Sequence, residues 1–219
     1  MNDLPWLDRL AHDLRGPLGP IQTAAQLLAM PGLDEAQHAE LVAMIERQSH
    51  ALGTMIDQLG DWASLSQGRL VTSREACDTA WLFEHAVQRL RRPVEITRAH
   101  DAPGADGLRV EGDARRLVQA FHAMLVWRAG LDADAPVRVM ITRDAAVVRF
   151  LVGDPVPRDA MSSRALADPA PEGPGLGLGL PIAAGIVAAH GGRLEFEDAG
   201  PDACRLACQL PLADAPAGD

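Results

Sequence analysis

The first third of the chain follows a single hydrophobic period. Between Leu4 and about Ala29, Leu10, Leu14, Leu18, Ile21, Ala25 and Leu28 recur at steps of three and four, which is one stripe along a helix. Pro17 and Pro20 fall inside it. Each lacks an N–H and crowds the carbonyl one turn back, so a bend is predicted there. Met30-Pro31-Gly32 breaks the pattern, and Asp34 stands as the N-cap of a second long helix reaching about Leu65. Its stripe runs from Leu41 through Met44, Leu52, Met55 and Leu59 to Leu65. Each stripe is wider than one neighbouring helix can cover, so two helical hairpins are expected to pair into a dimeric four-helix bundle.

After Gly68 the period shortens and mixes. A short strand is predicted at Arg69–Thr72, a helix at about Asp78–Leu90, and strands at Val94–Thr97 and Leu108–Val110. Asp113 caps a further helix to about Arg128. Val137–Ile141 and Val147–Val152 alternate about Arg143-Asp144, as a hairpin does. A Pro/Ala/Asp/Ser stretch from Asp154 to Pro174 is expected to be a mobile loop. A helix from Leu180 to His190 and strands at Arg193–Glu197 and Cys204–Leu210 complete an α+β sandwich. The expected organisation is a hairpin over 1–67, an α/β domain over 68–212 and a disordered tail over 213–219.

Composition narrows the function. Apolar residues make up 47% of the 219 and charged residues 23%, which is ordinary for a globular protein. The net charge of −10 argues against nucleic acid, which demands clustered cationic surface. Every cation is arginine, so any phosphate contact must use a guanidinium. Cys77, Cys204 and Cys208 are odd in number and lack metal-ligand spacing; they are expected to be buried apolar residues of a reducing compartment. No apolar run approaches a membrane span and no leader pattern opens the chain, so a cytoplasmic protein is expected, either excised from a larger receptor or a stand-alone relay.

The most informative segment is His12-Asp13-Leu14-Arg15-Gly16-Pro17-Leu18. A neutral imidazole nitrogen can attack a phosphoryl group, and a neighbouring carboxylate can hold the other ring nitrogen and set the tautomer. Taken alone, the pair is more readily a solvated helix-face histidine beside an ordinary aspartate, since such pairs are common on surface helices. The segment resembles the H box of two-component histidine kinases, a His-Glu/Asp-x-Arg-x-Pro-Leu pattern opening the dimerisation and phosphotransfer domain. The resemblance extends in order through Gly68-Arg69-Leu70, Glu111-Gly112-Asp113, Arg116-Leu117 and Ala189-His190-Gly191-Gly192, covering about Leu4 to Leu212. It implies a helical hairpin followed by a histidine-kinase-type ATPase α/β sandwich. His12 would be the phosphoacceptor, Asp13 its partner and a response-regulator receiver domain the target.

For the ATPase-type domain, the resemblance implies ATP and magnesium as cofactors. Gly175, Gly177 and Gly179 match the family's last glycine box, where backbone N–H groups can approach phosphates ahead of a helix N-terminus. Glycines at a tight turn would look the same. Asp154 matches the aspartate that reads the adenine amino group, but the two glycines after it have become Val156 and Arg158. The two asparagine positions of the N box fall on Ala123 and Trp127, and its alanine on Arg128, so magnesium loses its carboxamide ligand. His122 lies beside these positions but suits a hard cation poorly. Family members that dephosphorylate their regulators tend to carry threonine or asparagine four residues after the histidine, to orient a water; Gly16 stands there, so the resemblance implies weak phosphatase activity.

Three functions follow from these features. The first is a phosphorelay protein carrying its phosphoryl group on His12, with the ATPase-type lobe retained as a structural or partner-binding unit. The second is an active ATP-dependent kinase core that phosphorylates its own His12. The third is a non-catalytic dimeric scaffold that binds a regulator, for which the His12-Asp13 pair would be superfluous.

Overall fold

A computed structural model describes residues 4–90, 93–98, 107–132, 134–144, 146–157, 166 and 176–213. The chain divides into two compact units, Met1–Asp61 with Pro171–Gly177, and Trp62–Ala170 with Leu178–Asp219.

The first unit is built on two helices, α1 (Leu4–Leu28) and α2 (Glu35–Ser66). Helix α1 continues through Pro17 and Pro20, as the apolar period demanded. Asp34 caps α2 by accepting from the Gln37 N–H at 2.8 Å, and the Gln37 side chain accepts in return from the Asp34 N–H at 3.1 Å. That reciprocal pair satisfies two of the donors a helix start leaves open. The stripe of α2 is half-buried along most of its length, yet α2 contains no buried residue. Ile56, at its centre, remains 56% exposed. One chain therefore covers only part of the stripe.

The second unit stacks three helices on one face of a sheet. After β1 (Glu75–Asp78) come α3 (Thr79–Gln88), β2 (Val94–Arg98), β3 (Arg109–Gly112), α4 (Ala114–Leu131), β4 (Val137–Asp144) and β5 (Val147–Pro157). Helix α5 (Gly179–Ala189) and strands β6 (Arg193–Gly200) and β7 (Ala203–Pro211) complete it. Five strands lie in the order β2-β4-β5-β7-β6, with β2 and β4 parallel and the other neighbours antiparallel. Strands β1 and β3 form a separate antiparallel ribbon. Phe83 of α3, Phe121 of α4 and Phe150 of β5 meet with ring centroids 4.7 to 5.8 Å apart, joining both helices to the sheet. All three cysteines are buried and unpaired.

Three expectations need correction. Arg69–Thr72 is not a strand; the strand is Glu75–Asp78, because those residues find the partner β3 and Arg69–Thr72 pair with no strand among the described residues. Asp154–Pro157 are not loop but the end of β5, where Val156 and Pro157 pair with Cys204 and Ala203 beyond a register shift. The rest of the expected mobile stretch, apart from residue 166, lies outside the described residues up to 175. Ala213 is tied to the fold by an N–H bond to the Arg109 carbonyl at 2.8 Å, and residues 214–219 lie outside the described ones.

Candidate functional site

In the first unit, His12 and Asp13 sit on α1 as consecutive residues. The His12 side chain is 86% exposed, and its Nδ1 lies 3.3 Å from Asp13 Oδ1. With the proton on Nδ1, the ring donates to the carboxylate and leaves Nε2 with its lone pair facing solvent. One turn on, a Cβ at Gly16 would meet nothing within 4 Å, so the helix beside the imidazole is bare. Pro17 offers no N–H to the Asp13 carbonyl, which keeps a free lone pair at the same turn. The arrangement is a reachable nucleophilic nitrogen on a rigid helix.

In the second unit, the residues matched to a nucleotide cleft are arranged differently from the pattern that suggested them. Asp154 Oδ2 receives Arg138 Nη1 at 2.9 Å, and Arg138 Nε reaches Glu95 Oε2 at 2.9 Å. Glu95 and Arg138 are register partners on β2 and β4, so they share one sheet face. Val137 and Val139 point into the core on the other face, where the helices lie. Asp154 is thereby turned to the side of the sheet away from the helices. The turn follows Gly153, whose φ of +82° lies in the left-handed region and interrupts the alternation of β5.

On the helix side, Arg128 takes the space over Gly153. A Cβ at Gly153 would collide with the Arg128 side chain from Cγ to Nε. Ala123 faces Gly179, 3.9 Å from where a Cβ would sit, and Trp127 packs its ring 5.5 Å from Phe196. His122 bonds the Ala86 carbonyl through Nδ1 at 3.2 Å, and burial lowers its pKa, which makes it a helix-packing histidine. Gly177 has φ +66° and Gly179 opens α5; Gly175 and Arg158 lie outside the described residues. Helix α5 has no side-chain cap, so its first N–H groups are uncapped. Among the described residues no group of three His, Cys, Asp or Glu is placed to hold a metal. Asp154 turned to Arg138, an arginine over Gly153, and Ala123 and Trp127 at the two positions where a carboxamide was expected do not fit magnesium-bound ATP.

Sequence reasoning passed over a second cluster in this unit. Asp113 caps α4 by accepting from the Arg116 N–H at 3.2 Å, and its other oxygen accepts from Thr72 at 3.4 Å. Its own N–H donates to Nε2 of the buried His190 at 2.9 Å, while His190 Nδ1 bonds the Ile186 carbonyl at 2.7 Å. Burial alone would raise the Asp113 carboxyl. The Arg116 and Thr72 bonds and the nearby Arg115 and Arg116 charges outweigh it and hold the group below the usual range. Burial lowers His190. Gly112 is required here, since a Cβ there would lie 2.7 Å from His190 Nε2.

Residues 6–68 match the His Kinase A (phospho-acceptor) domain. The chain is 30% identical over 206 residues to the signal transduction histidine-protein kinase/phosphatase MprB of Mycobacterium leprae, covering 87% of this chain and 39% of that protein. The MprB of Mycolicibacterium vanbaalenii is 30% identical over 230 residues, covering 94% of this chain and 46% of that one. The chain thus spans less than half the length of these relatives. Among solved structures, the Acinetobacter baumannii histidine kinase AdeS superposes with a TM-score of 0.63 at 19% identity, over 93% of this chain and 98% of that one. Histidine kinase ThkA in complex with response regulator protein TrrA gives 0.65 at 18% identity, over 96% and 62%. Full-length ShkA in complex with AMPPNP gives 0.65 at 24%, over 96% and 47%. With a phospho-acceptor domain over its helical hairpin and an α/β unit of the same fold behind it, the chain belongs to the histidine kinases of two-component signalling.

Proposed function

We propose that the protein carries a phosphoryl group on His12 and exchanges it with the aspartate of a response-regulator receiver domain. The observation that carries this reading is the exposed His12 imidazole, tethered through Nδ1 to Asp13 and open at Nε2. In transfer from a phosphorylated receiver, the P–O bond of the aspartyl phosphate breaks as an N–P bond forms at Nε2, and the aspartate leaves as a carboxylate. The ring keeps its Nδ1 proton, donated to Asp13, and the carboxylate supports the cationic ring that results. Transfer to a receiver reverses these events. The partly covered stripe of α2 supports a homodimer through the hairpin. The ThkA–TrrA complex supports a receiver as the partner. The phosphoryl donor in this reading is a phosphorylated protein, with the second unit acting as a nucleotide-free lobe in the cytoplasm.

One observation favours a second reading, an ATP-dependent autokinase. Gly177 in the left-handed region precedes the uncapped start of α5, as a phosphate-binding turn would. The two readings part under one experiment. The protein is incubated with labelled ATP and magnesium, and separately with a labelled phospho-receiver, and acid-labile label is followed on wild type and His12→Gln. Label from the receiver alone, lost in His12→Gln, supports the relay. Label from ATP overturns the nucleotide-free lobe, and label from neither source overturns both readings in favour of a scaffold.

A further inference from the structure

Arg128 is the last polar member of the stripe that α4 turns toward the sheet, after Leu117, Phe121, Met124 and Leu125. Its side chain is 94% withdrawn from solvent, with a relative exposure of 6%. Its Nε is enclosed and makes no hydrogen bond. Other enclosed arginine nitrogens belong to side chains with partners: Arg149 and Arg205 with Glu197, and Arg116 with Gln119. Arg128 has no hydrogen bond or ion pair to any described residue. The nearest carboxylate along the strand it covers, Asp154, is held by Arg138. A buried guanidinium without a counter-charge is strongly unfavourable, because desolvation is not offset by any attraction.

The site is nonetheless built around it. Gly153 is the one residue type that leaves room for the guanidinium stem, and its left-handed φ supplies the recess. In a protein whose net charge is −10, a cation with no carboxylate is conspicuous. We propose that Arg128, over Gly153, is an oxyanion site that takes a phosphate group without a metal, entering through the small part of the guanidinium that reaches the surface. The planar fork suits two phosphate oxygens at once, and the ion supplies the missing charge. The site is independent of His12, so it stands or falls separately from the relay reading.

The test uses the full chain in chloride buffer at constant ionic strength, titrated with inorganic phosphate and, in a second arm, with AMP in the presence of a chelator. A saturable rise in the unfolding midpoint of about 4 °C by roughly 50 mM phosphate is expected for wild type. The rise should vanish in Arg128→Leu, survive in part in Arg128→Lys, and persist in Arg47→Leu, a control on the first unit. Phosphorus NMR on wild type should show the inorganic phosphate line broadening with protein, a readout that needs no variant. A larger response to AMP identifies a nucleotide phosphate as the source, and a larger response to phosphate identifies the free ion. A flat wild-type titration, or an equal rise in Arg128→Leu, would overturn the proposal.

Discussion

Arg138 Nη1 lies 2.9 Å from Asp154 Oδ2 across two adjacent strands, so the aspartate that resembles an adenine-reading residue is bound to its own sheet. Both side chains are about half exposed, and a pair of this kind contributes little to folding. Its consequence is directional: it draws Asp154 to the face opposite the helices. A nucleotide site with a dissociation constant of about 100 μM would add about 1.4 kcal/mol of stability at roughly 1 mM ATP. No shift in the unfolding midpoint is expected at roughly 1 mM ATP with magnesium, in wild type or in Arg138→Ala, because Arg128 covers Gly153 and its own phosphate response needs tens of millimolar ion. A shift in either, read by differential scanning fluorimetry, would show a working cleft.

Asp13→Asn is expected to slow transfer between His12 and a receiver by roughly 10²–10⁴-fold, the range for a proton-holding partner of a reacting group. His12→Gln should abolish it. Neither change should alter the far-ultraviolet circular dichroism, since the His12 side chain is 86% exposed. Rates from quenched-flow measurement with a labelled receiver decide the point; an Asp13→Asn rate equal to wild type would remove Asp13 from the mechanism.

The burial of His190 makes stability fall on mild acidification. The His190 pKa is lowered in the folded protein, first by burial and then by the Arg74 charge, with Asp113 and the Ile186 bond opposing. The unfolded chain therefore takes up its proton first. The stability that neutral His190 contributes is full above about pH 6.5 and is lost as pH falls below it, toward the lower folded value. His122 shifts in the same direction and adds to the slope. Asp113, held below the usual carboxylate range, stays ionised throughout this window. Denaturant midpoints measured between pH 8 and pH 5 should decline in wild type, and decline less in His190→Gln.

Gly112→Ala should destabilise the second unit by about 1–3 kcal/mol, the usual cost of forcing an atom into a packed core. The added methyl would meet His190 Nε2 at 2.7 Å and Leu117 Cδ1 at 2.8 Å, displacing the acceptor of the Asp113 N–H. Urea unfolding followed by tryptophan fluorescence reports this, and an unchanged midpoint would mean that the ring moves aside freely.

Ile56→Glu tests the hairpin. Ile56 is 56% exposed at the centre of a stripe that a single chain covers in part. A charge there should convert a dimer to a monomer by light scattering while leaving helix content intact. A variant that stays dimeric would put the interface elsewhere.

The helices and their starts were determined by the sequence itself. Asp34, Asp78 and Asp113 cap their helices through side-chain bonds to N–H groups three residues on, and such contacts need nothing beyond the local chain. The His12–Asp13 pair was legible for the same reason, being adjacent residues on one helix. Strands depended on partners: the chain turns into β1 at Glu75 because Arg109–Gly112 lie opposite, and β5 runs on to Pro157 because β7 continues beside it. The chemistry of the second unit was likewise tertiary. Arg128 and Gly153 are 25 residues apart, Arg138 and Asp154 16, and Asp113 and His190 77. No periodicity records that an arginine will lie over a glycine or that an aspartate will turn to another strand. Packing decided both, because burial fixes which face a side chain takes and which charges are left to meet.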